Sequence, residues 1–304
     1  MNLPVWVRMV EVGPRDGLQN EPERVPTEAK VAFVEALADA GLQWIEVGSF
    51  VRPDRVPQMA DTDEVFRRLR PRRGVTYVAL VPNVRGLERA AACGVRAVAV
   101  FTAATDAFAR ANLGMSVDDS LRTLRDVVRE AQAGGMLVRG YVSVAWWCPY
   151  TGPVDPQAVR RVALELLEMG CAELGVADTV GAATPRQVQE LLELFLREVC
   201  PHRLGVHFHD TRGTGLANVL ASLQVGITTV DASAGGLGGC PFAPGALGNV
   251  ATEDVLYMLH GMGVRTGVDL ERVCAASRTL ESVLGRKLPS RYLQAGAPRA
   301  AAAG

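Results

Sequence analysis

The feature of this sequence that most constrains its fold is a unit that recurs along the chain: a helical stretch, a glycine, and a short β-branched run. Glycine suits the left-handed backbone conformation that closes a helix, so each such glycine marks a helix end followed by a strand. Five runs follow this pattern: WIEVGSF after Gly41, RAVAVFTA after Gly94, LVRGYVSVA after Gly135, AELGVAD after Gly170 and TTVDAS after Gly226. Residues 7–12, 76–81 and 204–208 are further strand candidates, which makes eight.

Helices are predicted between these strands. Asp155–Pro156 and Thr184–Pro185 each supply a capping side chain and a proline for the first helical position. Apolar residues keep helical spacing after both pairs. Strands that alternate with helices predict an α/β protein with a parallel sheet, and eight units favour a closed (β/α)8 TIM barrel over an open doubly wound sheet. No GxGxxG motif follows the first strand, which argues against dinucleotide binding.

Length and composition allow one large domain or two small ones. The chain has 304 residues and is 48% hydrophobic, enough for the core of a barrel. We expect residues 1–304 to form a single catalytic (β/α)8 barrel, with 265–288 adding one or two C-terminal helices. Residues 295–304 are rich in Ala, Gly and Pro and are expected to be a frayed tail.

Charge and cysteine usage exclude several classes of function. The net charge is −1, which gives no electrostatic footprint for nucleic acid or an anionic membrane. No apolar run is long enough to span a bilayer. The six cysteines form no CxxC pair, and no signal or transit segment is recognisable, so we expect free thiols and a cytoplasmic protein.

The residues that can carry chemistry cluster where a barrel has its active site, at the carboxyl ends of the strands. They are Arg15 and Asp16 after strand one, Glu46 in strand two, Asp178 at the end of strand six, His207 and His209 in strand seven, and Cys240 and Asn249 after strand eight.

His207 and His209 are the most informative pair. Residues two apart on a strand point to the same side. Two imidazoles at the mouth of a barrel, with a carboxylate nearby, are typical of a divalent-metal site. The alternative is a pair of buried structural histidines.

The remaining residues leave alternatives open. Asp16 and Arg15 form either part of the site or a salt bridge in a Gly-Pro turn. Glu46 lies in an apolar strand and needs a partner, for which Arg15 is suitable. The glycine-rich segment 233–249 predicts an active-site lid, on which Cys240 is either a proton-transfer group or an incidental thiol. Asn249 is either a ligand or the N-cap of the following helix.

Taken together, these segments resemble the 3-hydroxy-3-methylglutaryl-CoA lyase family. VEVGPRDGLQNE, IEVGSFV, VPQMADTDEVF, ALVPN, RGYVS, HFHDT, GLGGCPFAPGALGN and VATEDVLYMLHG occur in that order over nearly the whole chain. The related isopropylmalate, citramalate and homocitrate synthases share the barrel and the HxH motif but usually have Asn-Asp after the second histidine. Here Asp210–Thr211 follows His209, which favours the lyase.

The resemblance implies cleavage of 3-hydroxy-3-methylglutaryl-CoA to acetoacetate and acetyl-CoA, with Mg²⁺ or Mn²⁺, in a homodimer that binds a small-molecule acyl-CoA. The implied metal ligands are Asp16, His207, His209 and Asn249. Arg15 would stabilise the enolate, Cys240 would transfer a proton, and Arg139 would organise the site. Glu46 and Asp178 would orient groups or relay protons. Asp16, His207 and Asp178 all remain candidates for the base.

Departures from the family pattern leave the substrate open more than the reaction. They are Arg212, Thr214, Leu247, Gly175 and the stretch Arg52, Asp54 and Arg55 after SFV. A lyase for a bulkier 3-hydroxy-3-alkylglutaryl-CoA, an acyl-CoA condensing synthase and a catalytically silent metal- or acyl-CoA-binding barrel are therefore the alternatives.

Overall fold

A computed structural model describes residues 3–239 and 248–298. Eight strands close into a parallel barrel in which consecutive barrel strands are neighbours and the eighth pairs with the first. The eight strands are β1 Arg8–Glu11, β2 Trp44–Ser49, β3 Thr76–Leu80, β4 Ala97–Ala103, β5 Leu137–Ser143, β6 Glu173–Asp178, β7 Leu204–Phe208 and β8 Thr229–Ala232. The predicted closed barrel is confirmed, and every predicted strand is present.

Helices surround the barrel on its outer side. They are α1 Thr27–Asp39, α2 Thr62–Arg68, α3 Val84–Ala92, α4 Asp106–Leu113, α5 Val117–Ala133, α6 Pro156–Glu168, α7 Pro185–Leu196, α8 Gly215–Gln224, α9 Thr252–Gly261, α10 Leu270–Leu284 and α11 Arg291–Ala295. The helix starts predicted at Asp155 and Thr184 are correct. Asp155 accepts a hydrogen bond from the backbone N–H of Gln157 at 2.9 Å, and Thr184 forms a capping box with Gln187. None of the helices in the described part of the chain is long and apolar enough to cross a membrane.

The alternation of side chains along the strands divides the interior into two regions. In β4, Val98 and Val100 face the helices and belong to the main hydrophobic core, whereas Ala97 and Ala99 face the barrel axis. The inner region also contains buried charged residues, among them Arg139 and Asp231. Charges in such a place must be paired with one another, so the barrel interior combines a small apolar cluster with a network of paired polar side chains.

The C-terminal segment differs from the sequence prediction in its extent. Residues 265–288 contain one helix, α10, and α11 follows outside that range. α11 is held because the carboxylate of Asp254 accepts hydrogen bonds from Ser290, Arg291 and Tyr292. The chain is therefore ordered into the start of the predicted frayed tail, whose residues 299–304 lie outside the described part.

Candidate active site

The turn after β1 places Arg15 and Asp16 at the mouth of the barrel. Residues Gly13–Gly17 form a single wide turn in which the backbone N–H groups of Asp16 and Gly17 donate to the carbonyl of Val12 at 2.7 and 3.1 Å. The salt bridge between Arg15 and Asp16 that the sequence offered as an alternative is present, but it does not lie at the surface, because Arg15 is only 8% exposed. The turn directs both side chains into the barrel.

Arg15 is fixed by two carboxylates. Its Nε donates to Oε2 of Glu46 at 2.8 Å and its Nη2 lies 2.6 Å from the same oxygen, while Nη1 donates to Asp16. Burial opposes the charge of Arg15, but Glu46 and Asp16 outweigh it and raise the pKa of the guanidinium. Glu46 is thus the partner of Arg15, as its position in an apolar strand suggested. Its second oxygen, Oε1, accepts from the hydroxyl of Tyr141 at 2.6 Å.

Asp16, His207 and His209 form a group that can hold a metal ion. One ligand atom from each residue lies within 4.8 Å of the others. His207 lies in β7 and His209 directly follows the end of that strand. Their rings face the same side, as the spacing predicted, with centroids 5.4 Å apart. Oδ2 of Asp16 lies 3.9 Å from Nε2 of His207.

Asn249 lies beside this group and does not cap a helix. It pairs with His209 in an isolated β-bridge, and the helix that follows, α9, has Ala251 at its N-cap position. Its Nδ2 donates to Oδ2 of Asp16 at 2.9 Å and to the carbonyl of Leu237 at 3.0 Å. The amide is held from both sides, so its oxygen has a defined direction.

Two polar atoms support a cation in this place. Oδ1 of Asn249 and Nδ1 of His209 are both buried and have no hydrogen-bond partner among the residues that the structure describes. Buried acceptors without a partner are costly unless something else satisfies them. A set of carboxylate, imidazole and amide-oxygen donors suits a hard-to-borderline divalent cation. The residues present therefore fit a metal ion.

The charges at the site favour the same conclusion. Burial opposes ionisation of Asp16, but Arg15 and the two histidines outweigh it and lower the pKa of the carboxyl. Burial, and then His207, lower the pKa of His209 to about 4. Near neutral pH, Asp16 is therefore ionised and His209 is neutral. Both are the protonation states in which these side chains bind metal.

His207 has a carboxylate partner that the sequence analysis missed. Its Nδ1 lies 3.3 Å from Oδ2 of Asp231, and the two residues are partners in the pairing of β7 with β8. Burial lowers the pKa of His207, but the hydrogen bond with Asp231 and the negative charges of Asp16 and Asp231 together outweigh it, so the net shift is upward. The signal for Asp231 was its occurrence in the apolar run TTVDAS, the same signal that drew attention to Glu46.

Arg139 and Tyr141 connect the carboxylates of Glu46 and Asp231. Nη2 of Arg139 donates to Oδ1 of Asp231 at 2.8 Å, and the hydroxyl of Tyr141 lies 2.8 Å from Oδ2 of Asp231. Since this hydroxyl also contacts Glu46, one network joins Arg15 to His207 through side chains alone. The family resemblance implied that Arg139 organises the site. Tyr141 was not among the site residues that the sequence indicated.

Asp178 lies apart from this group. Its two carboxylate oxygens accept the backbone N–H groups of Ala182 and Ala183 at 3.0 and 2.9 Å, which closes the turn before α7. Its neighbours Ala177 and Thr179 line the cavity, whereas Asp178 itself does not. Cys240, the residue expected on the lid, lies outside the described residues.

A cavity of about 800 Å³ opens above the metal group. Its floor includes Arg15, Asp16, His207 and His209, and its walls carry apolar side chains that include Val51, Leu80, Phe101, Phe108, Leu113 and Tyr141. A volume of this size accommodates an extended ligand with its reactive end at the metal group.

The fold and the site together define a class, a (β/α)8 barrel with an Asp-His-His group beside a buried arginine at the carboxyl ends of its strands. Residues 6–280 match the model of the HMGL-like family. The chain belongs to the HMGL-like family.

Relatives agree over nearly the full length. The chain is 50% identical over 295 residues to a 3-hydroxy-3-isohexenylglutaryl-CoA/hydroxy-methylglutaryl-CoA lyase of Pseudomonas aeruginosa, covering 97% of this chain and 98% of the relative. It is 45% identical to the solved HMG-CoA lyase of Bacillus subtilis, with a TM-score of 0.95 and coverage of 97% and 99%. An HMG-CoA lyase of Acinetobacter baumannii, solved with coenzyme A and 3-methylmalate, is 37% identical with a TM-score of 0.92 and coverage of 97% and 98%.

Proposed function

We propose that this protein is a carbon–carbon lyase that cleaves 3-hydroxy-3-methylglutaryl-CoA into acetoacetate and acetyl-CoA with the help of a divalent metal ion. The observation that carries the proposal is the Asp16, His207 and His209 group, next to Arg15 at the floor of the cavity. The relatives named as lyases of this substrate support it.

Asp16, His207, His209 and Asn249 would hold the metal, with Mg²⁺ or Mn²⁺ as the ion. When bound by these residues, a divalent cation would supply Lewis-acid chemistry that makes the tertiary hydroxyl of the substrate more acidic. Asn249 suits this group because its Nδ2 donates hydrogen bonds to Asp16 and to the carbonyl of Leu237. Its Oδ1 has no hydrogen-bond partner among the described residues and is free to bind a cation.

Arg15 would stabilise the transition state. The reaction breaks the bond between the hydroxyl-bearing carbon and the methylene carbon next to the thioester. The electron pair passes to the thioester as an enolate, and the hydroxyl proton leaves as the ketone of acetoacetate forms. A fixed guanidinium is suited to the developing enolate charge. Arg15 Nε donates a hydrogen bond to Glu46 Oε2 at 2.8 Å, which holds the guanidinium in one orientation. Arg15 therefore does not have to reorient as the enolate charge develops.

Two proton transfers remain to be assigned. Asp16 and His207 line the cavity and are the proposed groups for removing the hydroxyl proton. Asp178 is a weaker choice as the base because both of its oxygens accept backbone N–H groups, and we propose that it orients the end of β6 instead. The enolate carbon then takes up a proton to give acetyl-CoA, and we propose Cys240 as the donor. A thiol, with a reference pKa of about 8.5, is a suitable acid for this step.

A bulkier substrate is the second candidate. The relative from Pseudomonas aeruginosa is named as a lyase of both an isohexenyl and a methyl compound. The apolar side chains on the walls of the cavity suit a longer alkyl substituent. Turnover of a 3-hydroxy-3-alkylglutaryl-CoA with a longer alkyl group, compared with the methyl compound, tests this candidate directly.

We further propose a cytoplasmic homodimer. Both the cytoplasmic location and the dimeric state are proposed from the relationship to lyases of this family. Light scattering on the purified protein tests the assembly, and a mass of one chain would contradict it.

The decisive assay for the reaction is release of acetoacetate from 3-hydroxy-3-methylglutaryl-CoA, with and without added Mg²⁺. A parallel assay supplies acetyl-CoA and a 2-oxo acid and measures condensation. Metal-dependent release of acetoacetate without condensation is the expected result. Condensation without cleavage would make the protein a synthase. No reaction in either direction would make it a silent binding protein.

A further inference from the structure

We propose that the mouth of the cavity is a phosphate-recognition site for the coenzyme A part of the substrate, in which Arg55 binds phosphate directly. Arg52 and Arg110 contribute positive charge to this site, and Asp54 restrains Arg52. The inference rests on the proposed function, since it assumes that an acyl-CoA enters this cavity.

The cavity connects the reactive groups to the arginines. The same continuous space is lined by Arg15 and His207 at its floor and by Arg52, Arg55 and Arg110 at its mouth. Exposure increases along this direction. The side chain of His207 is 8% exposed, whereas those of Arg52 and Arg110 are 71% and 64% exposed. A thioester that reaches the floor must therefore leave its phosphates at the mouth.

The charge of the lining favours an anion. Among the described residues that line the cavity, four are arginines and one, Asp16, carries a carboxylate. Arg15 and Asp16 pair with each other at the floor. At the mouth, Asp54 and Asp106 pair with Arg52 and Arg110 from outside the lining, so the positive charge that no salt bridge balances is that of Arg55. The chain as a whole carries a net charge of −1, which makes this local excess a property of the cavity rather than of the protein.

The three arginines differ in how free they are. Arg52 makes a two-pronged ion pair with Asp54, with Nε–Oδ1 and Nη2–Oδ2 distances of 3.0 and 2.6 Å. Arg110 is bound to Asp106 at 3.1 Å. The guanidinium of Arg55 makes neither a hydrogen bond nor a salt bridge with residues 3–239 and 248–298. Its forked donors are therefore available for a phosphate.

A tight turn presents two of these side chains together. The backbone N–H groups of Arg55 and Val56 donate to the carbonyl of Arg52 at 3.0 and 3.2 Å, so residues 52–56 form one compact loop. Asp54 lies in the same loop and competes with any phosphate for Arg52. This loop is the stretch in which the sequence departs from its family. The recognition we propose therefore belongs to this chain in particular.

The test is equilibrium binding of free coenzyme A and of pantetheine, which has the same arm but no phosphates. Isothermal titration at low salt is applied to the wild type, Arg55→Ala and Asp54→Asn. Arg55→Ala should weaken coenzyme A binding about three- to tenfold, since an exposed charge-assisted contact is lost. Asp54→Asn should tighten it, because Arg52 is released. Neither change should alter pantetheine binding, and both effects should shrink at high ionic strength.

Arg73→Ala is the matched control. Like Arg55, Arg73 is an exposed arginine in a turn that makes no salt bridge with the described residues, but it does not line the cavity. It removes one positive charge and should leave the affinity for coenzyme A unchanged.

The proposal is overturned if Arg55→Ala weakens coenzyme A and pantetheine equally or weakens neither, or if Asp54→Asn lowers the affinity for coenzyme A. These measurements need no turnover. A wild type that prefers coenzyme A through Arg55 but releases no acetoacetate would refute the proposed reaction and support the phosphate site. A protein that releases acetoacetate but does not prefer coenzyme A over pantetheine would support the proposed reaction and refute the phosphate site.

Discussion

Replacing Asp231 by Asn tests whether the network below the site determines metal binding. Asp231 is fully buried and is bound to Arg139 at 2.8 Å and to His207 at 3.3 Å. Burial opposes its charge, but Arg139 and His207 outweigh it and lower the pKa of the carboxyl from 3.8 to about 2. The folded protein therefore favours the ionised carboxylate by about 2 kcal/mol at neutral pH, at 1.36 kcal/mol for each pKa unit.

Asn keeps the size of Asp but removes this charge. Asp231→Asn should lower the free energy of unfolding by about 2 kcal/mol at pH 7 and leave Arg139 partly uncompensated. His207 should lose the carboxylate that orients its ring. Losing such a partner typically costs about 10- to 100-fold in metal affinity. Urea unfolding measures the first effect, and titration with Mn²⁺ followed by electron paramagnetic resonance measures the second.

Glu173→Gln separates positioning from stability. Glu173 is the other carboxylate beside Arg139, with an Oε1–Nε distance of 2.8 Å, and it makes no contact with His207. This variant should lose stability but keep the Mn²⁺ affinity of the wild type. The reasoning fails if Asp231→Asn binds Mn²⁺ as tightly as the wild type, or if Glu173→Gln weakens Mn²⁺ binding by the same factor.

Four further predictions concern individual residues. Replacing His207 or His209 by Ala should weaken Mn²⁺ binding and greatly reduce turnover, and wild-type affinity in both variants would contradict their assignment as ligands. Arg15→Lys should lower kcat far more than it raises KM in steady-state kinetics, because the enolate charge develops only during cleavage; a change in KM alone would show that Arg15 merely anchors the substrate. Burial raises the pKa of Glu253 from 4.5 to about 7, so its stabilising contribution is complete below pH 4.5 and is lost as the pH rises through about 7. Between pH 5 and pH 8, urea unfolding of the wild type should lose about 2 to 3 kcal/mol more stability than that of Glu253→Gln, which keeps the separate loss from buried Glu11. An equal loss in both proteins would refute this. Cys240→Ser should bind metal normally, turn over slowly and resist inactivation by alkylating reagents, whereas full activity that alkylation still destroys would place the catalytic thiol elsewhere.

The barrel and the position of its site could be predicted from the sequence because they depend on local and periodic properties. Helix-closing glycines, capping pairs and β-branched runs act within a few residues of one another, and eight repeats of the unit leave little choice of architecture. The spacing of His207 and His209 is equally local, since alternation along a strand decides that both rings face the same side. The carboxyl ends of parallel strands then bring Asp16 to them.

The partners of these residues were decided by tertiary structure. Asp231 faces His207 because of the register between β7 and β8, and register depends on how the whole barrel closes. Asn249 bonds to Asp16 across an interval of 233 residues instead of capping the adjacent helix. The Asp178 carboxylate turns to two backbone N–H groups that only the folded loop supplies. A sequence shows which residues are able to ionise or bind metal. The packing around each one decides which charge it meets, because only close approach in a buried place makes those interactions strong.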